Sequence, residues 1–287
     1  MSAASRIRHS FIGWSVRKMI HAGYRLQNTA GKPVSYTLPG AVRIQLYPEG
    51  EVAEFLSVQR FFERTELALA ATYLKPGMNV FDVGANIGVY SILAHKLVGT
   101  LGMTWAFEPS LETFQRLENN LALNRCERVR PFRVALSAQP DGFLMLKTDA
   151  GFGDAYCYLA PATAAHESSP RAQRVTVTTM DALSLREDIK SVDFLKIDVE
   201  GGEYAVLQGG QNFLTANPHA CIMFESDPEW CRRAGCRQQD SFDLLERLGF
   251  GLYAWDNRRH KWDAGEKALL ASETVWACRD ATRLPVI

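Results

Sequence analysis

The chain has 287 residues and a mass of 32.1 kDa, with 47% hydrophobic and 22% charged residues. That mixture excludes a disordered chain, a collagen-like repeat and a disulfide-dense mini-protein, and the length suits one large α/β domain with extensions or two small domains. Lys+Arg and Asp+Glu both number 32, so the net charge of 0 gives no general pull toward nucleic acid.

The charge is unevenly spread. Seven basic residues, Arg6, Arg8, Arg17, Lys18, Arg25, Lys32 and Arg43, precede the first acid, Glu49. The remainder carries 25 basic against 32 acidic residues, so a basic segment precedes a mildly acidic body. The stretch from Ile7 to Leu26 is interrupted by His9, Arg17, Lys18, His21 and Arg25. It therefore falls short of the roughly 20 apolar residues of a membrane span, and it lacks a secretory cleavage site. It reads as a helical cap on the body, with an amphipathic helix on an anionic membrane or a partner as the alternative. The six cysteines include no CxxC pair, in keeping with reduced thiols. A cytoplasmic protein is expected, with peripheral membrane contact through the basic segment as the variant.

Residues 1–75 read as a basic, helical N-terminal extension. Its helical run at 52–74 is stopped by Lys75-Pro76-Gly77. Strands then alternate with helices: strands at 78–83, 103–107, 129–136, 192–197 and 220–225, helices at 87–97, 111–123 and 203–214. Repeated units of this length predict a parallel sheet with helices on both faces. Residues 137–180 break the pattern with two strand-like runs around a Gly-, Ala- and Ser-rich stretch, which reads as an inserted hairpin with a loop. A helix at 240–250 and two terminal strands, joined by the polar loop after Trp255, complete the chain.

Chemistry concentrates at strand ends. Asp82-Val83-Gly84-Ala85-Asn86-Ile87-Gly88 follows an apolar strand and opens a helix. The spacing is not GxGxxG, and a carboxylate before the first glycine would repel a pyrophosphate and attract an ammonium. Glu108, in Phe107-Glu108-Pro109, ends the next strand, where an acid can accept both hydroxyls of a ribose. A ribose, a cationic end and no pyrophosphate suit S-adenosylmethionine better than a nicotinamide dinucleotide. Asp198, Glu200 and Glu203 cluster after the strand Leu195-Lys196-Ile197; helix capping is a second role open to Glu203. In an extended chain Asp198 and Glu200 would face the same side.

DVGANIG (82–88), FEP (107–109) and LKIDVEGGEYAVLQGG (195–210) resemble the FkbM family of S-adenosylmethionine-dependent methyltransferases, over about residues 76–226. The resemblance implies the class I methyltransferase fold: α/β and Rossmann-like, a seven-stranded, mostly parallel sheet with helices on both faces and a C-terminal antiparallel hairpin. Residues 76–287 would form that domain, with the inserted hairpin and loop at about 137–180. The family implies methyl transfer to a hydroxyl of a sugar, glycolipid, polysaccharide or natural product, leaving S-adenosylhomocysteine. By position, Asp82, Gly84, Ala85, Asn86 and Gly88 would line the methionine end of the cofactor. Glu108, with Pro109 beside it, would hold the ribose, and Ala135, Leu136 and Ser137 would flank the adenine.

Asp198 and Glu200 are the candidates for general base or acceptor hydrogen bonding. Asp198 could instead anchor the methionine end, or ligate Mg2+ with Glu200 or Glu225. The expected partner is a small-molecule or glycan acceptor, without nucleic acid. The alternatives are action on protein or nucleic acid, or cofactor binding without catalysis. The loop from Gly151 to Pro170, with His166, is expected to act as a lid or acceptor segment.

Overall fold

Short apolar runs rich in β-branched and aromatic residues, spaced by helices with one buried stripe, build the body of the chain. The computed structural model describes residues 33–38, 42–47, 63–148, 157–160 and 172–287. An antiparallel ribbon of β1 (Val34–Leu38) and β2 (Val42–Leu46) comes first. It is followed by α1 (Arg64–Tyr73), β3 (Asn79–Val83), α2 (Val89–Val98), β4 (Met103–Phe107), α3 (Leu111–Leu123) and β5 (Val129–Phe132). Then come β6 (Ala135–Leu136), β7 (Gly142–Thr148), β8 (Cys157–Ala160), β9 (Ala172–Thr178), α4 (Met180–Arg186), β10 (Phe194–Ile197), α5 (Glu203–Gln208) and α6 (Gln211–Ala216). The chain ends with β11 (Cys221–Glu225), α7 (Pro228–Arg233), α8 (Gln238–Arg247), β12 (Gly251–Asp256), β13 (Lys261–Asp263), α9 (Glu266–Ala271) and β14 (Thr274–Cys278).

The main sheet has the order β13-β12-β14-β11-β10-β3-β4-β5. Strands β5, β4, β3, β10 and β11 are parallel, and β14, β12 and β13 run against their neighbours. This is the expected class I sheet, with β13 added at one edge. Strand order reverses between β3 and β10, so a crevice opens beyond their carboxyl ends, where ligands bind in such sheets. A second sheet has the order β6-β9-β7-β8; β7 and β9 are the two runs read as a hairpin, whereas β6 comes from the run expected to end a main-sheet strand and β8 from the stretch expected as loop.

The two-residue period of a strand sorts side chains onto two faces. Phe81, Val83, Leu195 and Ile197 join Met180, Leu207, Leu214 and Phe242 in a core under α4, α5, α6 and α8. Val80, Phe194 and Trp276 face the other way, against Tyr73 of α1 and Ala94 of α2. Each large side chain so buried contributes about 1.5–3 kcal/mol. Asp82 and Lys196 share that second face and are direct ladder partners in the parallel pairing of β3 and β10. Val42, Ile44 and Leu46 of β2 pack with Leu117 and Leu121 of α3.

Several boundaries differ from the sequence reading. The strand expected at 129–136 is two strands in different sheets, because Arg133 and Val134 carry the chain from β5 into β6. The helix expected at 203–214 is two, broken at Gly209-Gly210. A Cβ on Gly209 would lie 2.1 Å from the carbonyl oxygen of Ser137, so glycine lets this break approach the insertion. The polar loop near the C-terminus contains β13 and α9. The basic helix at 7–26, the first part of the 52–74 run, and residues 151–156 and 161–170 of the expected loop, with His166, lie outside the described residues, while 157–160, read as loop, form β8 paired to β7.

Candidate functional site

The turn after β3 is built around close backbone approach. Gly84 has φ 78°, and a Cβ there would lie 1.8 Å from the carbonyl oxygen of Asp198. The turn is pinned to β4 by the Gly84 and Ala85 amides, both donating to the carbonyl of Phe107 at 3.0 Å. Asn86 takes φ 48°, and Gly88 is the N-cap of α2.

Beneath the turn lies a buried charge network. Asp82 is 1% exposed, and its Oδ2 accepts from the Ser91 hydroxyl at 2.6 Å. Its Oδ1 stands 3.7 Å from the Lys196 ammonium, so the cation beside Asp82 is the protein's own. Lys196 also donates to the carbonyl of Gly84 at 2.8 Å and lies 3.3 Å from Asp198 Oδ2. Burial raises the Asp82 carboxyl above its ordinary value, and Lys196 and the Ser91 hydroxyl draw it back. For Lys196, burial disfavours the charge, but Asp198, Asp82 and Glu63 outweigh it and hold the ammonium above its ordinary value. Glu63, the residue before α1, accepts from the Tyr90 hydroxyl at 2.6 Å. Burial pushes its carboxyl up to about 8, with the Asp198 charge adding to the shift and Lys196 and Tyr90 opposing it.

Glu108 is 8% exposed at the end of β4. It accepts from the amides of Asn86 at 3.1 Å and Ser110 at 2.9 Å, which ties the β3 turn to the cap of α3. Pro109 lies between Glu108 and that cap. Ala135 and Leu136 are buried in β6, and the Ser137 amide donates to the carbonyl of Thr178 at 2.9 Å. These three residues therefore belong to the second sheet and do not end the third parallel strand.

The acids after β10 take a turn, with Glu200 at φ 55°, in place of the extended form expected. Glu203 holds that turn: its Oε1 accepts from the amides of Val199 at 2.9 Å and Gly201 at 3.3 Å. Burial raises the Glu203 carboxyl to about 7, against the pull of those amides. The turn brings Asp198 and Glu200 to Glu225 at the end of β11, with one carboxylate oxygen from each within 4.8 Å of the others. Burial first, then the Glu200 and Asp198 charges, raise the Glu225 carboxyl well above the usual range. These carboxylates could hold a divalent cation or share protons with a bound hydroxyl. A groove of about 580 Å³ lies between α7 and α9, lined by Ser226, the residue after Glu225, with Asp227, Arg233, Glu266, Lys267 and Leu270.

The structure thus brings Asp82, Gly84, Ala85, Asn86, Gly88, Glu108 and Asp198 to one end of the sheet, with Glu200 and Glu225 alongside. Sequence reasoning missed Lys196, Glu63, Tyr90 and Ser91 as parts of the site. The signal for Lys196 was present: a lysine inside an otherwise apolar strand needs a buried partner. Glu63 had no such signal, since it reads as one more charge on a surface helix.

A site rich in carboxylates beside a glycine turn suits a ligand with hydroxyl donors and positive charge. Three solved structures are among those the chain is similar to. A precorrin-6y C5,15-methyltransferase from Geobacter metallireducens is 13% identical, with a TM-score of 0.41, over 75% of this chain and 84% of that one. An S-adenosylmethionine-dependent O-methyltransferase from Thermotoga maritima is 12% identical, with a TM-score of 0.43, over 86% and 77%. A ribosomal protein L11 methylase from Lactobacillus delbrueckii subsp. bulgaricus is 17% identical, with a TM-score of 0.37, over 76% and 78%. No match was found among curated proteins. The family model described as the methyltransferase FkbM domain matches residues 82–250, more than half of the chain and all of the site's strand ends. The chain therefore belongs to the FkbM family of S-adenosylmethionine-dependent methyltransferases.

Proposed function

We propose that the protein methylates a hydroxyl oxygen of a small-molecule or glycan acceptor. The observation that carries this reading is the convergence of Asp198, Glu200 and Glu225 beside the β3 turn. A hydroxyl needs its proton drawn off as it is methylated, and a carboxylate within hydrogen-bond reach can do so. When bound, S-adenosylmethionine supplies a methyl group whose bond to the sulfonium breaks toward sulfur as the acceptor oxygen bonds to carbon. Glu108 supplies acceptors for the ribose hydroxyls, and the Gly84 turn admits the chain of the methionine end. Asp198 or Glu200 takes the acceptor proton, while Glu225, beside both, adds a hydrogen-bonding carboxyl group for the acceptor. Holding the oxygen in line with the bond that breaks supplies much of the acceleration.

The test is incubation with S-adenosylmethionine and separate pools of sugars, hydroxylated lipids, amines, peptides and RNA, read by mass for methyl gain. Methylation confined to amines, peptides or RNA would refute the hydroxyl reading.

A divalent cation such as Mg2+ among Asp198, Glu200 and Glu225 is a second reading, favoured by the same convergence. Turnover lost on chelation and restored by Mg2+ is its expected signature, and indifference to chelation removes it. The basic N-terminal segment supports peripheral contact with an anionic membrane. Sedimentation with anionic vesicles tests that, and equal recovery with neutral vesicles counts against it.

A further inference from the structure

In a two-stranded ribbon every second backbone amide points away from the partner strand and needs another acceptor when it is covered. For β2 the acceptors are side chains of α3 and its cap. The Gln45 amide donates to Asn120 Oδ1 at 2.7 Å and the Arg43 amide to Asn124 Oδ1 at 3.0 Å, while Asn124 Nδ2 donates back to the Arg43 carbonyl at 2.5 Å. Four residues along a helix rise about 6 Å and two along a strand about 6.8 Å, so the two asparagines match the repeat of the strand they meet. Under this seam, Val42, Ile44 and Leu46 share one core with Ala85 and Ile87 of the β3 turn, Val89 of α2 and Leu117 of α3.

Asn120 joins the ribbon to the turn. It is 0% exposed and uses both ends of its amide: Oδ1 accepts from Gln45, and Nδ2 donates to the carbonyl of Ile87 at 2.9 Å. The start of the turn is tied to β4 through the Gly84 and Ala85 amides and to Lys196 through the Gly84 carbonyl, and the Asn86 amide is tied to Glu108. The Ile87 peptide, between Asn86 and Gly88, is tied through Asn120. A buried amide left with one end unmade is costly, so an undocked ribbon strains the hold on Ile87.

We infer that Asn120 is a positioning residue for the β3 turn, and that docking of the β1–β2 ribbon on α3 raises affinity for the cofactor. This rests on the S-adenosylmethionine reading above. It gives the ribbon, which precedes the stretch matched by the family model, a part in the donor site. Coupling of this kind is reciprocal, so bound cofactor equally favours the docked ribbon.

The test combines calorimetry with S-adenosylhomocysteine on the full chain and hydrogen exchange of residues 42–47 with and without that ligand. Asn120→Ala is expected to weaken S-adenosylhomocysteine about fivefold or more, the lower end of coupling between sites. The ligand should slow exchange at 42–47 in wild type and not in Asn120→Ala. Gln45→Pro removes the ribbon's donor and leaves α3 and the turn as they are. It serves as a second variant in case Asn120→Ala does not fold, and it should weaken the ligand in the same direction. Leu214→Ala, in the core under α6, controls for general loosening: it should lower the unfolding midpoint and keep S-adenosylhomocysteine affinity within about twofold. Three results overturn the assignment: affinity within about twofold of wild type in folded Asn120→Ala or Gln45→Pro, an equal loss in Leu214→Ala, or exchange at 42–47 that ignores the ligand. If the wild type does not bind S-adenosylhomocysteine, the cofactor reading itself fails and the coupling falls with it.

Discussion

Lys196→Met removes the ammonium from the centre of the network while keeping an unbranched side chain in the strand. In the structure that ammonium donates to Gly84 at 2.8 Å and faces Asp198 at 3.3 Å and Asp82 at 3.7 Å. Asp82, 1% exposed, would be left with hydrogen bonds from Ser91 and no facing cation. Removing one partner of a buried pair costs about 3–5 kcal/mol, and Asp198, whose side chain is 31% exposed, adds less because water screens it. The expected loss near neutral pH is therefore about 3–5 kcal/mol. The pH dependence has a definite sign. Asp82 is already held above its ordinary value of 3.8 by burial, and losing Lys196 raises it further. A carboxyl raised on folding favours the folded state below its unfolded value, and that advantage is lost as pH rises through the folded value. The variant should therefore come closest to wild type in acid and fall away as pH rises. Urea unfolding of Lys196→Met, Asp82→Asn and the double variant at about pH 4.5 and 7.5 measures this. The double variant should recover at least ~1.5 kcal/mol of the neutral-pH loss. A loss below ~1 kcal/mol, or one that does not shrink in acid, would refute the view of Lys196 as the pairing centre.

Gly84→Ala combines a left-handed backbone, worth about 1–2 kcal/mol, with a Cβ that would overlap the Asp198 carbonyl, so unfolding stability should drop by about 3 kcal/mol or more. Wild-type stability in that variant would mean the turn is not closed against β10. Glu63, held near 8 against an ordinary 4.5, should make the ligand-free protein lose stability as pH rises between those values, and Glu63→Gln should flatten that slope in thermal melts; an unchanged slope counts against the burial of its carboxyl. Asp198→Asn and Glu200→Gln separate base from anchor. Whichever takes the acceptor proton should lower turnover about 100-fold or more when replaced, and near-normal turnover in both leaves positioning as the mechanism. Weaker S-adenosylhomocysteine binding in Asp198→Asn alone would mark Asp198 as an anchor.

The parallel strands and the β3 turn were legible because their signals are local: an apolar run, a glycine where the chain must turn, a helix period after it. What escaped depended on contacts between distant residues. Nothing in Arg133-Val134 marks the crossing between two sheets, which is decided by the pairing of β6 with β9. The break at Gly209-Gly210 is set by the approach of Ser137. Lys261-Trp262-Asp263 is too short to show a period, and it forms a strand because β12 offers an edge. In the site, the acids at strand ends could be read singly. Their meeting required the turn that Glu203 stabilises, and the pairing of Asp82 with Lys196 follows from the register of β3 on β10.

The second sheet leaves the main sheet after β5 and returns through β9 and α4 to β10, with β6 and β9 paired side by side. The excursion is thus clasped at its base by its own hydrogen bonds, and the connections on either side of β8 start and end on fixed strands. Lengthening such a connection costs only about 0.6 kcal/mol per doubling, an entropic charge borne by the insertion and not by the crevice between β3 and β10. Residues 149–156 and 161–171 can therefore vary in length while the ends of β3 and β10 stay in register.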